Sequence, residues 1–331
     1  MYNTAMDRRN GDEIRRRGAE PASPVQKARL AVLGVLILIL LCTLAIKAVP
    51  RCISERRISC SAAERLPVPT PQAFAGEELL TLTVIDVGQG DSLLLQSPSG
   101  KTMLIDAGEQ DAFSSIRKVL SAYGIERLDA VVATHAHSDH IGGMTELLKT
   151  YPVGTFYLTD SVSTTKQYTD MLSAAQKNGC TVCKTDTETV IAWDDAVEIT
   201  VLNPFPGWTY PEMNNASIVL RVTFGDTSFL LTGDLETEGE TLLLTAYDPE
   251  ALSADVLKLG HHGSNSSTGA AFLDAVHPSI AIASVGKNNK YGHPHDEVLE
   301  RLSARNITLY RTDKDGIITL FSDGTRMIAV P

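Results

Sequence analysis

The chain has 331 residues, 43% of them apolar, which is enough to bury the core of one large domain or two small ones. Its charge is divided: residues 1–65 hold 12 Lys/Arg against 6 Asp/Glu, and residues 66–331 hold 17 against 34, a net −17. So acidic a globular part speaks against broad electrostatic capture of nucleic acid, which rests on Lys/Arg contacts to phosphates.

Residues 1–27 read as a basic cytoplasmic tail. Residues 28–48 follow as a transmembrane helix, with 17 uncharged residues from Leu30 to Ile46 between Arg29 and Lys47. The run is short for ~30 Å of hydrocarbon, but snorkelling cations at its ends extend it. A cleaved signal peptide is the rival reading, although its apolar region would be shorter and would precede a small-residue cleavage site. Seven Lys/Arg before the run against five after it favour an inside N-terminus, which places the remainder outside the cytoplasm. Residues 49–77 read as a linker extended by Pro67, Pro69 and Pro71. Cys52 and Cys60 within it could pair in an oxidising compartment.

Residues 78–331 read as the folded domain. Apolar runs at LLTLTVIDV, SLLLQS and KTMLIDAG suit three early strands ended by glycine. A helix near Ser114–Tyr123, a buried strand at Leu128–Ala133 and a helix near Met144–Lys149 come next. Then follow a strand at Thr155–Leu158, a helix at Thr165–Lys177, and strands at Thr181–Lys184, Val197–Leu202, Ser217–Phe224 and Ser228–Thr232. Gly239–Ala246 is predicted helical, Asp255–Leu259 a strand, Ala270–Val276 a helix, Ser279–Val285 a strand and Asp296–Ala304 a helix. Strands at Thr308–Tyr310, Gly316–Phe321 and Arg326–Val330 end the chain. Such a mixture suits two packed sheets flanked by helices. Cys180 and Cys183 form a C-x-x-C in strand context, where they point to opposite faces and have no second pair to complete a zinc knuckle.

The chemistry is concentrated at strand ends. After the buried strand LDAVVA comes T-H-A-H-S-D-H-I-G-G, with four metal-ligand side chains in six residues. In a tight loop His135 and His137 can hold one ion while Asp139 and His140 turn toward a second, since imidazole and carboxylate both suit zinc or manganese. The apolar strand before L-L-T-G-D delivers Asp234, a carboxylate able to bridge two cations, and the strand before G-H-H-G delivers His261 and His262.

I-D-A-G at Ile105–Gly108, H-A-H-S-D-H, T-G-D and G-H-H-G together resemble the metallo-β-lactamase superfamily. D-V-G-Q-G-D-S at Asp86–Ser92 and S-V-G-K-N-N-K-Y-G-H-P-H at Ser284–His295 are similar to the metallo-hydrolase domain of the ComEC/Rec2 competence proteins. The resemblance covers about residues 79–322 and implies an α/β, four-layer αββα fold with the site between the sheet edges. It gives His135 and His137 to one metal, Asp139 and His140 to the other, Asp234 as the bridge, and His261 as the ligand completing the second site. Asp139, able to guide a proton from water, and His295 are the candidate catalytic residues; His293 and His295 flank Pro294 before a helix, where one of them donates a proton or meets phosphate unless both cap the helix. Asp86, Asp91, Asp106, Asn214, Ser217, His262, Ser264 and His293 are set around them to orient ligands or meet substrate. One departure stands out: a further histidine ligand common in the superfamily is missing, and Asn214 or Asn215 occupies its place. An amide oxygen suits a harder cation, which tilts one or two ions of zinc or manganese toward manganese.

The reaction implied is metal-assisted hydrolysis. Phosphodiester cleavage in DNA leads, with Lys258, Lys287 and Lys290 as candidate phosphate contacts. A lactonase- or β-lactamase-like acyl or ester hydrolase is the alternative, favoured by the acidic domain, and a non-catalytic tethered binding module is the third.

Overall fold

A computed structural model describes residues 71–331, so the basic tail, the apolar run and nearly all of the linker lie outside the described residues. Among the described residues no helix is long and apolar enough to cross a membrane. The folded unit begins earlier than the expected boundary at residue 78. Phe74 is fully buried, with the Arg326 guanidinium 4.9 Å from its ring centre.

The first sheet contains β1 (Leu80–Val84), β2 (Leu93–Gln96), β3 (Thr102–Ile105), β4 (Leu128–Ala133), β5 (Val153–Leu158) and β6 (Thr181–Lys184). The second contains β7 (Glu198–Asn203), β8 (Val219–Phe224), β9 (Thr227–Leu231), β10 (Val256–Lys258), β11 (Ile280–Ala283) and β12 (Thr308–Arg311). The chain then returns to the first sheet with β13 (Ile318–Ser322) and β14 (Met327–Val330), giving the orders β14-β13-β1-β2-β3-β4-β5-β6 and β12-β11-β10-β9-β8-β7.

Three apolar layers hold this together, each following from the period-2 alternation of strands. Leu82, Leu93, Leu95, Met103, Ile105 and Val132 of the first sheet meet Val201, Leu220, Val222, Phe229, Leu231 and Val256 of the second. The intervening residues Leu94, Leu104, Val131 and Phe156 face the other way, onto Ile116, Leu120, Leu147 and Met171 of helices Phe113–Ala122, Met144–Thr150 and Lys166–Asn178. On the far side, Leu230, Leu257 and Ala281 pack against Leu243, Phe272, Leu273 and Val298 of helices Thr237–Ala246, Ala270–Val276 and Asp296–Ser303. Each fully buried side chain of this size contributes about 1.5–3 kcal/mol, and truncating Phe229 between the sheets would cost about 3–5 kcal/mol.

The parallel strands set the place of the chemistry. β3 to β6 run parallel, as do β9 to β12, so the loops after β3, β4, β9 and β10 leave one edge of each sheet. The expected run at residues 79–87 pairs only as far as Val84. Beyond Ile85, whose N–H reaches the Ser92 carbonyl, Gly88 and Gly90 turn the chain at φ 77° and 126°. A Cβ on Gly90 would overlap the Asp139 carbonyl, so this close approach requires glycine. The turns at Ser138–Ile141, Pro249–Leu252 and Thr312–Asp315 were not anticipated, because four residues are too few to show a helical period.

Candidate active site

Asp106 leaves β3 at φ 60°, a left-handed conformation costing about 1–2 kcal/mol for a residue with a side chain. In that posture its buried carboxylate takes three donors from the loop after β4. Oδ1 accepts the Thr134 N–H at 2.8 Å, Oδ2 accepts the Thr134 hydroxyl at 2.6 Å, and Oδ2 lies 2.7 Å from His140 Nδ1. The last contact fixes the His140 tautomer and turns Nε2 toward the second sheet. His135 Nε2 lies 3.1 Å from His137 Nδ1, and Ser138–Ile141 forms one helical turn carrying Asp139 and His140.

The loop after β9 places Asp234 opposite. Its N–H donates to Ser217 Oγ at 3.1 Å, and that hydroxyl also lies 3.3 Å from His135 Nδ1. Asp234 Oδ2 is 3.2 Å from His140 Nε2, 3.5 Å from His262 Nε2, and 3.9 Å from both His135 Nε2 and His261 Nε2. His262 Nε2 is also 3.3 Å from Asp139 Oδ2. Asp139, His140, Asp234 and His262 therefore bring one ligand atom each within 4.8 Å of one another. His140 Nε2 and His262 Nε2, both turned toward Asp234 Oδ2, are buried without a well-aligned hydrogen-bond partner. Buried imidazole nitrogens and a carboxylate oxygen facing one point are costly unless a cation satisfies them, so the donor set fits a divalent metal.

The charges agree with that reading. Burial pulls His140 and His262 down, but Asp234 with Asp106 holds His140 well above its ordinary value, and Asp234 with Asp91 holds His262 at about 9. Burial would raise Asp139 and Asp234. The His262 imidazole close to Oδ2 overrides this at Asp139, and the His140 and His262 charges override it at Asp234, keeping both well below the usual carboxylate range. His135 is pushed well down by burial and by the His140 charge, and His293 falls to about 4 through burial and the charges of His262 and His261. Protons on His140 and His262 thus occupy the place that cationic charge would take.

Two expected residues sit differently from the sequence pattern. The histidine grouped with Asp139, His140 and Asp234 is His262, whereas His261 reaches the same centre only through Nε2, 3.9 Å from Asp234 Oδ2. Both lie in the turn Gly260–Gly263 at positive φ, 44° and 56°, which sends their rings to different sides. His261 Nδ1 is 2.9 Å from Glu236 Oε1, a carboxylate that the sequence reading missed because it lies two residues past the T-G-D motif in an ordinary helix-start context. Lys258 is not a substrate contact. It is fully buried, with Nζ 2.5 Å from Asp91 Oδ2 and 3.1 Å from the Gly233 carbonyl. Leu257 and Leu259 face the helices, so alternation sends Lys258 between the sheets, where the strand's second face is covered.

The other expected residues spread outward from this centre. Asp91 lies 3.4 Å from His262 Nδ1. Asn214 Nδ2 is 3.4 Å from His261 Nδ1, and its Oδ1 is buried without a partner. Asn215 instead accepts the Glu236 and Gly239 amides and serves the backbone. His293 stands 5.5 Å from the His261 ring and 6.3 Å from that of His262. Three residues are used locally: Asp86 accepts its own Gly88 N–H, Ser264 is 2.9 Å from Ser266 Oγ, and His295 accepts the Asn265 N–H through Nδ1.

The family profile described as the metallo-beta-lactamase superfamily matches residues 85–287, more than half of the chain. The chain belongs to this superfamily. Among its relatives, ComE operon protein 3 of Bacillus subtilis is 38% identical over 71% of this chain and 32% of its own length. Competence protein ComA of Neisseria gonorrhoeae is 34% identical over 91% of this chain and 39% of its own. Recombination protein 2 of Haemophilus influenzae is 30% identical over 66% and 26%. The chain therefore spans about a third of the length of these relatives. Their similarity supports the narrower ComEC/Rec2 resemblance within the metallo-β-lactamase superfamily, and the two-sheet fold with strand-end His/Asp loops is that of a metallo-β-lactamase domain.

Proposed function

We propose that this chain is a membrane-anchored, metal-dependent hydrolase that cleaves phosphodiester bonds, with DNA as substrate. The observation that carries the reading is the convergence of His135, His140, His261 and His262 on the single oxygen Asp234 Oδ2, with Asp139 beside it. His135 and His137 would hold one cation, Asp139, His140 and His262 a second, with Asp234 shared. A bound divalent cation supplies Lewis acidity, which polarises the substrate oxygen and eases deprotonation of water. Asp139, partly exposed and held ionised, accepts a proton from the attacking water. His261, oriented through Nδ1 by Glu236, directs Nε2 into the site and can pass a proton to the leaving group. The unpartnered Asn214 Oδ1 supports manganese over zinc, because an amide oxygen is a harder donor than imidazole.

DNA as the substrate is supported by two relatives whose names refer to competence and to recombination. The apolar run at residues 30–46 and its flanking cations support the membrane anchor, with the domain outside the cytoplasm. The net −17 of residues 66–331 favours the second reading, an acyl or ester hydrolase. The full chain, loaded separately with manganese and zinc, is to be assayed on single- and double-stranded DNA, bis-p-nitrophenyl phosphate, a lactone and a β-lactam. Diester cleavage that follows metal content supports the proposal. Lactone or β-lactam turnover without diesterase activity replaces it with the second reading.

A further inference from the structure

Asp234 is held asymmetrically. Oδ2 faces four imidazoles, whereas Oδ1 is buried without a hydrogen-bond partner and has the Lys258 ammonium 3.9 Å away. That ammonium cannot swing freely, because Asp91 Oδ2 and the Gly233 carbonyl hold it. Asp91 in turn is tied to both sheets. Its N–H donates to the Asp139 carbonyl at 3.1 Å, its carbonyl accepts the Gly108 N–H at 2.8 Å, and its Oδ1 lies 3.4 Å from His262 Nδ1. The strand end that carries Lys258 thus reaches, through Asp91, the loop bearing His135 to His140.

We propose that Asp91 and Lys258 are a positioning pair that steers Asp234 to offer a single oxygen, Oδ2, to the metal centre. The proposal rests on the metal-centre reading above. A cation near Oδ1 draws that oxygen away from the imidazole side, so the carboxylate cannot turn both oxygens toward one ion. Charge neutralisation alone does not explain the arrangement. The pair carries no net charge, so it leaves the sum of charge at the centre unchanged while fixing where the positive end sits. A buried ion pair contributes little net stability relative to neutral packing, but removing one partner alone strands a buried charge.

The test follows from that asymmetry. The variant Asp91→Asn with Lys258→Met removes both charges together and is expected to unfold cooperatively near the wild-type temperature. It should bind Mn²⁺ about tenfold or more weakly by titration calorimetry on the full chain. A crystal structure of the Mn²⁺-loaded wild-type chain is expected to show Asp234 meeting metal through Oδ2 alone, with Lys258 still beside Oδ1. Wild-type affinity in the double variant overturns the proposal, as does an Asp234 with both oxygens on one ion. If the double variant does not fold, the wild-type structure decides. A wild-type chain that binds neither Mn²⁺ nor Zn²⁺ defeats the metal-centre reading itself, whereas one that binds metal through both Asp234 oxygens defeats this inference alone.

Discussion

His140 Nε2 lies 3.2 Å from Asp234 Oδ2, and the same imidazole meets Asp106 through Nδ1 at 2.7 Å. One ring therefore joins a carboxylate of the first sheet to one of the second, and neither sheet holds a whole site. Asp234→Ala is expected to abolish hydrolysis and lower bound metal, and His137→Ala to do the same at the other ion, with little change in circular dichroism. Full metal content and activity in both variants would remove the site from consideration.

The two histidines of G-H-H-G should separate in function. His262→Ala is expected to lose metal, whereas His261→Ala keeps it and lowers kcat by about 10²–10⁴-fold, the range for a positioned proton carrier. Elemental analysis beside steady-state kinetics checks this. Loss of metal in His261→Ala with retention in His262→Ala would reverse the two roles.

Lys287 and Lys290 are exposed in the loop that carries His293, and Lys290 lies 5.0 Å from the Tyr291 ring centre. With Lys258 buried, they are the candidate phosphate contacts left from the sequence reading. Lys287→Ala with Lys290→Ala should raise KM for DNA and flatten its salt dependence while leaving bis-p-nitrophenyl phosphate turnover near wild type. Equal loss on both substrates would place the effect in the site rather than in binding.

Glu240 accepts the Thr268 and Gly269 amides beneath the loop that follows His262, and burial pushes its carboxyl up to about 7. The folded state therefore binds this proton more tightly than the unfolded chain does. The resulting stabilisation, about 3 kcal/mol, is fully present below pH about 4.5 and is lost as pH rises through about 7. Urea unfolding across that window should show a flatter pH dependence in Glu240→Gln than in wild type. An identical slope in the two would assign the effect to another group.

The proposed anchor is open to a simple test of orientation. Protease added to intact cells should remove the domain if residues 49–331 lie outside the cytoplasm. Protection until lysis would reverse the orientation.

Much of the centre was legible because its ligands are neighbours in the chain. His135, His137, Asp139 and His140 fall within six residues after an apolar strand, so local order alone brings them together. The unbroken apolar runs Leu93 to Leu95 and Met103 to Ile105 likewise mark strands covered on both faces. The choice between His261 and His262 was not legible, because two adjacent histidines have the same composition and only their left-handed backbone decides which ring meets Asp139. Lys258 was misread for a related reason. Period-2 alternation tells which face a side chain takes, but what covers that face is set by another strand's loop, here Asp91. The sequence by itself determined the ligand types and the strands that carry them. Only the packing of one sheet on the other decided which groups meet, because those contacts join segments far apart in the chain, where local propensity carries no information.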